Sequence, residues 1–520
     1  MRSSLAQIFF SFVVGACLAT VAFGQVRNQG AGYWQPSSQP YQTIGYSQNS
    51  DCGCSPEVNS APMTAFNDSS CGCGACGIPE TYGGYGSGCS TGGCGFDTCD
   101  PCGDTGYFGW DMDPCQVNQW FLTGWIQQGV TINPYWPRNK SNGTLRYNDR
   151  ANDYQMNQLY LTAGRSVNSE ACNWDIGGRV DVLYGTDYFF TSALGWETRT
   201  TLDGRPILDP TGADQKWNPN KGPRRDGNAA LYGLSIPQLY GEIQAPMGAN
   251  VKLGHFYSPM GHESVMATQN FFYSHSYSMM YGEPTTLTGM LLSQRVTRNW
   301  TGYFGIHRGW DKWETPIDHI SYLAGAKWEN YYRTTSVGFL INMGTDAYTF
   351  GPRRTANRVN YSLVFSHQLS PNLHYVLQHD LGVDQNAAYE LDASFNVKPL
   401  DGTWYSISQY IYLQLLETLA FGCRVEWFKD ENHSRILKPT GPIRSSFNSI
   451  TGEDYVELTL GFNWKPTPCV TLRPEVRWDW VNGREITTKL GGQESNLSGP
   501  FNDNTKNNQF TIGTDLVITF

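Results

Sequence analysis

Three segments near the end of the sequence alternate between a large apolar side chain and a small, polar or charged one. They are residues 418–428 (TLAFGCRVEWF), 454–464 (DYVELTLGFNW) and 470–480 (VTLRPEVRWDW). A period of two places successive side chains on opposite faces of a β-strand, so each segment has one apolar and one more polar face. Each is about as long as the ~9–11 residues that a tilted membrane strand requires. These segments therefore restrict the chain to a few all-β folds.

The alternation alone does not say which face points inward. In a soluble β-sandwich two apolar faces meet and the charges face water. In a membrane barrel the apolar face meets lipid and the charged face lines a wet lumen. Aromatic side chains gather at the segment ends, as at Trp427, Trp464 and Trp480. Such positions are typical of the aromatic girdles of a membrane barrel, and they favour that alternative.

Short and long connections also alternate along the chain. The short ones are 245–250, 369–372 and 465–468, and the long polar ones are roughly 190–235, 430–452 and 481–508. Short turns at one rim and long loops at the other are expected of outer-membrane barrels. We therefore predict an all-β fold, a transmembrane antiparallel β-barrel of about 16–18 strands within residues 118–520. The candidate strands include 188–196 and 387–395, the latter with a loop as its alternative.

Residues 1–24 resemble an export signal. Arg2 precedes an apolar run that ends near Phe23, and Ala22-Phe23-Gly24 offers a cleavage site near Gly24. A lipobox-like sequence that ends at Cys17 is the alternative. Beyond Gln25 no stretch approaches the ~20 apolar residues of a membrane helix. The sequence thus predicts export to the bacterial outer membrane, with strands as the spanning elements.

Residues 25–117 differ from the rest and are expected to form an irregular, Cys- and Gly-rich segment. Nine acidic residues and one basic residue, Arg27, give it a net charge of 1 − 9 = −8, most of the −10 of the whole chain. The ten cysteines of this segment are disulfide candidates: Cys52, Cys54, Cys71, Cys73, Cys76, Cys89, Cys94, Cys99, Cys102 and Cys115. Metal binding and thiol cross-links from a disordered linker to other envelope components are the alternatives. No metal site and no cofactor is predicted.

Charged residues on the inward face are candidates for lining the pore. They are Lys252, Arg424, Glu426, Arg473, Glu475 and Arg477. The alternative is that these charges form salt bridges across the strands of a plugged barrel. An aromatic-rich segment, 258–284, follows the strand that leaves the 245–250 turn, and we expect it to fold inward and narrow the pore. Its candidate constriction residues are Phe271, Phe272, Tyr273, Tyr277 and Tyr281; an external loop packed on the rim is the alternative.

Several short stretches together resemble the putative beta-barrel porin-2 family and, more distantly, the phosphate-selective porins O and P. The stretches are 251–256 and 258–263 (VKLGHF, SPMGHE), 271–274 (FFYS), 281–284 (YGEP), 288–289, 404–405 and 426–430 (EWFKD). The resemblance covers roughly 118–520 and implies an outer-membrane barrel that passes small solutes. It supplies no substrate. His255 stands where similar sequences often carry Gln or Lys, so anion selectivity does not follow from the resemblance.

The sequence therefore predicts a porin for passive diffusion of small hydrophilic solutes or ions through a water-filled barrel, and not an enzyme. One alternative is a structural envelope protein that is cross-linked through its Cys-rich segment. A hydrolase with Ser258, His262 and Glu263 at the rim is the other. The acidic balance argues against nucleic acid as a partner. The expected partners are outer-membrane lipid, small solutes and the barrel assembly machinery, and a homo-oligomer is left open.

Residues 509–520 (QFTIGTDLVITF) alternate up to a final aromatic side chain. The apolar positions are Phe510, Ile512, Leu516, Ile518 and Phe520. This pattern resembles the terminal signal that the barrel assembly machinery recognises. We also expect this strand to pair with the first one, near 119–131, because closure removes both sheet edges.

Deletion of Phe520 is expected to impair assembly more than it alters the channel. The reason is that the aromatic ring would serve recognition during insertion, whereas the lumen is lined by other residues. The amount of folded protein in the outer membrane and the single-channel conductance measure the two effects. Normal assembly with an altered conductance would contradict the prediction.

Overall fold

The computed structural model describes residues 120–167, 174–197, 231–314, 320–346, 356–391, 397–431, 434–436, 454–482, 486–490, 493–497, 499–503 and 505–520. Strands dominate these ranges, and no helix among them is long and apolar enough to cross a membrane. One short helix, α1 (Tyr188–Thr191), accompanies the strands. The strands are β1 (Trp120–Ile132), β2 (Tyr154–Arg165), β3 (Asp175–Gly185), β4 (Gly233–Ala245), β5 (Ala249–Tyr257), β6 (Thr286–Arg295), β7 (Trp300–His307), β8 (Ser321–Glu329), β9 (Thr335–Asp346), β10 (Ala356–Ser370), β11 (Leu373–Leu391), β12 (Val397–Leu416), β13 (Leu419–Glu431), β14 (Asp454–Thr467), β15 (Val470–Asn482), β16 (Ile486–Leu490), β17 (Gln493–Leu497) and β18 (Asn508–Thr519).

A single antiparallel sheet closes on itself into a barrel. Strands β1 to β15 each pair with their neighbours in the chain, β15 pairs with β18, and β18 pairs with β1. Strands β16 and β17 form a separate two-stranded hairpin. The barrel thus has 16 strands, which confirms the predicted fold class, at the lower end of the predicted range.

The barrel carries its charged side chains inside and its apolar side chains outside. Arg424, Glu457 and Asp479 have no exposed surface, whereas Phe462 and Ile512 on the opposite faces of their strands are more than 40% exposed. In water this arrangement would leave a wide apolar surface without a partner. In a bilayer the same surface meets the hydrocarbon, and the closed sheet pairs its backbone polar groups internally. The inversion identifies the apolar face as the lipid-facing one.

The seam between β1 and β18 closes the ring, as predicted. Ladder partners run from Trp125 opposite Thr519 to Ile132 opposite Ile512. Beyond this ladder, Gly124 and Phe520 exchange two main-chain hydrogen bonds, at 2.8 Å and 2.9 Å. Phe520 therefore takes part in the closure itself, and neither strand keeps an unpaired edge there.

The connections differ in length at the two ends of the barrel. At one end β4 and β5 are joined by a single 3-10 turn, Pro246–Gly248, and only residues 417–418 separate β12 from β13. At the other end the connections are 133–153, 186–232 and 258–285, among others. The strand prediction for 188–196 is wrong, because α1 occupies its start. Of the predicted strand 387–395, residues 387–391 belong to the end of β11, and residues 392–395 lie outside the described residues.

The close pairing of Phe520 with β1 leaves no room for a side chain at Gly124. A Cβ atom at Gly124 would lie 2.5 Å from the carbonyl oxygen of Tyr160 and 2.8 Å from the Phe520 ring. Gly124→Ala is expected to destabilise the closed barrel by about 1–3 kcal/mol, since the backbone contact cannot move aside. The temperature at which the compact, fast-migrating form disappears in an SDS gel should fall.

Gly241→Ala is the matched control for this seam variant, because a Cβ atom at Gly241 would meet nothing within 4 Å. Both variants add the same methyl group to a barrel strand. Equal transition temperatures for the two variants would show that the seam tolerates the methyl group.

Candidate pore constriction

The connection between β5 and β6 lies inside the barrel. We call these residues, 258–285, the lumen loop. It contains a 3-10 turn, Ala267–Gln269, and one turn of π-helix, Ser278–Gly282. Its large side chains are buried, at most 7% exposed: Met260, Phe271, Phe272, Tyr273, Tyr277 and Tyr281. Because its partners are inward residues of distant strands, the loop crosses the lumen instead of extending from the rim.

Three arginines of β13 and β15 bind the main chain of the lumen loop. Their guanidinium groups donate to loop carbonyl oxygens: Arg473 to Ala267 and Asn270, both at 2.8 Å, Arg424 to Ser274 at 2.8 Å, and Arg477 to His275 at 2.6 Å. Irregular backbone lacks the partners that a strand or helix supplies. A buried carbonyl left unpaired would cost about 1–3 kcal/mol. The arginine fork supplies several donors in one plane and satisfies these carbonyls.

Carboxylates bind the loop amides in the same region. The oxygens of three glutamates accept main-chain N–H groups: Glu475 from Tyr273 at 3.0 Å and Ser274 at 3.1 Å, Glu426 from Tyr277 at 2.5 Å and Ser278 at 2.7 Å, and Glu263 from Ser276 at 2.9 Å. Glu475 and Glu426 belong to the wall, whereas Glu263 belongs to the loop. The wall thus supplies both the acceptors and the donors that the loop backbone needs.

Every one of the three arginines also pairs with a carboxylate of the wall. Arg424 contacts Glu457 at 2.5 Å, Arg477 contacts Asp479 at 2.8 Å, and Arg473 donates to Asp515 at 2.9 Å. Arg424 contacts Glu263 of the loop as well, at 2.8 Å. Buried charges are tolerated only when they are paired and hydrogen-bonded. Each arginine is therefore paired, which leaves these three cations little capacity to attract a solute.

Tyrosine hydroxyls fix the far side of the loop. Tyr273 donates to Asn157 at 3.0 Å, and Tyr277 donates to Asp479 at 2.9 Å. The connection between β1 and β2, residues 133–153, folds over the same region. There Tyr281 donates to the carbonyl oxygen of Thr144 at 2.5 Å.

The sequence model of the family "Putative beta-barrel porin-2, OmpL-like" matches residues 121–520. The chain belongs to this porin family. The porin is an outer-membrane channel for passive diffusion of solutes, and lipid surrounds its barrel. No curated protein sequence matches the chain.

Solved outer-membrane proteins resemble the porin in structure. The channel DcaP of Acinetobacter baumannii is 10% identical, with 77% of this chain and 97% of that chain covered and a TM-score of 0.44. OprB of Pseudomonas putida is 12% identical, with 77% and 94% covered and a TM-score of 0.46. An anion-selective porin from Comamonas acidovorans is 9% identical, with 77% and 99% covered and a TM-score of 0.42.

Two glutamates of the lumen loop have pKa values that are shifted in opposite directions. Burial opposes ionisation of Glu263, but Arg424 and His275 outweigh it and hold the pKa of this carboxyl well below its usual range. Burial, followed by the neighbouring carboxylates Asp380 and Glu263, raises the pKa of Glu283 well above its usual range. Glu263 is therefore an anion matched by its cationic neighbour, whereas the environment of Glu283 favours the protonated acid.

A cavity of about 40 Å³ lies between the lumen loop and the strands β5 and β6. The apolar part of its wall includes Phe256, Met260, Met279 and Leu291. The polar part includes Lys252, Ser258, Glu263, Ser264, Glu283 and Thr285. Both ends of the loop contribute to this wall. It is open space directly beside the loop, and Glu263, which pairs with Arg424, contributes to its wall.

The structure brings five of the six predicted pore-lining residues together. Arg424, Glu426, Arg473, Glu475 and Arg477 are all inward and at most 5% exposed, beneath the lumen loop. Lys252 lies apart from them, at the cavity. All five predicted constriction residues, 271–273, 277 and 281, lie in the loop and pack inside the barrel. The pore-lining and constriction roles themselves stay predictions.

Other residues of the network were not predicted from the sequence. Glu457, Asp479 and Asp515 share the inward face with the arginines, and the period of two marks them as inward. The residues of the 133–153 connection carry no such signal, because they lie in an irregular loop. Only the fold brings Thr144 to Tyr281.

Ser258, His262 and Glu263 do not form a nucleophile–base pair. His262 contacts the Tyr412 hydroxyl at 3.0 Å, and the Ser258 hydroxyl accepts the N–H of Met260 at 3.2 Å. Glu263 is bound to Arg424 and His275. The ten candidate disulfide cysteines, the signal segment and the acidic segment all lie outside the described residues, and those predictions stay untested.

Glu475→Gln is expected to loosen the lumen loop. One of the two oxygens that accept from Tyr273 and Ser274 becomes an NH₂ group, which faces N–H donors that it cannot bind. Docking of the loop should weaken by about 1–3 kcal/mol. Limited proteolysis of the folded porin, with mapping of the cut sites to 258–285, measures the change.

Glu431→Gln makes the same chemical change at the end of β13, where the side chain is 43% exposed. This control should leave the cleavage rate as in the unmodified porin. Equal cleavage of the Glu475→Gln variant and the control would argue against anchoring by Glu475.

Proposed function

We propose that the porin is a narrow channel in which small hydrophilic solutes diffuse past a fixed constriction, the lumen loop. The observation that carries the proposal is the double attachment of the loop backbone to the wall. Wall arginines bind its carbonyls and wall glutamates bind its amides. A loop held in this way has few alternative positions, so the free cross-section of the lumen stays constant.

The passage is proposed to run along the β5 and β6 side of the barrel. The lumen loop is tied to β13 and β15 through Glu426, Glu475 and the arginines, and to β2 through Asn157. The cavity lies on the remaining side, next to Lys252. A solute would thus move between the loop and this wall.

The predicted pore-lining residues are proposed to have two different roles. Five of them would anchor the constriction, because each one hydrogen-bonds to the main chain of the lumen loop. These five are Arg424, Glu426, Arg473, Glu475 and Arg477. Lys252 would face the solute. This division combines both alternatives that the sequence left open, since salt bridges hold the loop while the passage remains beside it.

The proposal also covers what the porin does not do and what it meets in the cell. We propose that it is not an enzyme, because His262 contacts the Tyr412 hydroxyl and makes no hydrogen bond with Ser258 in the described part of the chain. We propose that Phe520 and the apolar residues of β18 are recognised by the barrel assembly machinery. The pairing of Phe520 with Gly124 supports a role in assembly through closure.

Removal of the lumen loop tests the constriction. Gly261 and Glu283 are adjacent, since a side chain at Gly261 would overlap the Glu283 carboxylate. A short glycine linker is therefore a suitable replacement for residues 262–282. The single-channel conductance in planar bilayers should rise by about twofold or more, because a wider lumen offers ions a larger cross-section. The compact form in an SDS gel verifies that the barrel still closes. An unchanged conductance would refute the constriction.

A further inference from the structure

We propose that the cavity beside the lumen loop is a binding subsite for a small organic monoanion, a carboxylate with a short apolar chain. The proposal rests on the proposed function, because it assigns the solute class of the same passage. It follows from the charge, the donors and the apolar lining of the cavity.

Lys252 supplies the charge of the subsite. Its side chain lines the cavity, is 6% exposed, and forms no hydrogen bond or ion pair with any described residue. Its ammonium lies 4.6 Å from the centre of the Tyr240 ring, which fixes its position without neutralising it. A buried ammonium without an anion is costly, and a bound carboxylate would satisfy it.

The carboxylates near the cavity do not compete for this ammonium. Glu263 is matched by Arg424 and His275, and the surroundings of Glu283 favour its neutral form. Glu242 stands opposite Lys252 in the β4–β5 ladder, but it makes no ion pair with it and is not part of the cavity wall. Lys252 is therefore the cation of this wall, and the two carboxyl groups that line the same cavity, Glu263 and Glu283, are engaged with other side chains.

Two serines add hydrogen-bond donors. The hydroxyl oxygens of Ser258 and Ser264 accept main-chain N–H groups, both at 3.2 Å. Neither hydroxyl donates its own hydrogen to a described residue. An ammonium and two free O–H groups suit the oxygens of a carboxylate.

The apolar part of the cavity wall favours a short alkyl chain on the ligand. Phe256, Met260, Met279 and Leu291 offer hydrocarbon surface in the same cavity. An inorganic anion would leave this surface wet, whereas a short alkyl chain would bury part of it. The enclosed volume of about 40 Å³ has room for about three water molecules, which favours a molecule with a short chain of a few carbons.

The test uses the full-length porin in planar bilayers with potassium chloride, to which acetate, butyrate, inorganic phosphate or butylammonium is added. Butyrate should reduce the chloride current in a saturable way, and about tenfold more tightly than acetate, because it buries two further methylenes. Butylammonium should have little effect. Equal inhibition by butyrate and butylammonium, or by butyrate and phosphate, would overturn the subsite.

Lys252→Gln should weaken butyrate inhibition by about tenfold, since it removes a charge-assisted hydrogen bond. Lys327→Gln is the matched control, because Lys327 is also inward on β8 but is already paired with Glu329 at 2.8 Å. Unchanged inhibition in Lys252→Gln overturns the proposal. If that variant does not assemble, the comparison of the four solutes on the unmodified porin still decides the question. Absence of channel steps would refute the porin function, whereas steps without butyrate inhibition would refute the subsite alone.

Discussion

The hydrogen bonds between wall side chains and the main chain of the lumen loop hold this loop inside the barrel. Irregular backbone is tolerated at membrane depth only where protein or water satisfies it. Here Arg424, Arg473 and Arg477 supply donors, and Glu426 and Glu475 supply acceptors. The charged, inward face of the strands thus binds the loop, and the apolar, outward face contacts lipid.

The lumen loop and the inward side chains of the barrel wall depend on each other for hydrogen-bond partners. Without the loop, the inward arginines and carboxylates would face water in a wide lumen. Without those side chains, the loop would have buried polar atoms with no partners. The cavity at β5 and β6 remains because the loop is tied to the opposite wall. Lys252 differs from the arginines for this reason, since it lies outside the network that pairs them.

Much of the fold follows from the sequence because a period of two is a local signal. The pattern of 454–464 and 470–480 specifies which side chains share a face, and hence places Glu457 beside the arginines. The residues between two alternating segments are the predicted turns, so the sequence also gives the lengths of the turns. The strand prediction at 188–196 is wrong because that segment begins with a helical turn, Tyr188–Thr191, which an alternating pattern does not reveal. The site is harder to predict from the sequence. The aromatic composition of 258–284 indicates an inward loop, but the partners of this loop are set by tertiary structure. No pattern in the sequence distinguishes an arginine that anchors a loop from one that faces a solute.

The positions of the anchors in the chain have a consequence for folding. Tyr273 and the Glu475 that binds it are 202 residues apart, and β18 must join β1 before the ring is complete. The lumen loop cannot dock before β13 and β15 are in place, because its anchors belong to those strands. Contacts of such large sequence separation form slowly. The narrow passage is therefore a late product of folding, and a chain that stops before β15 lacks the side chains needed to hold the loop in place.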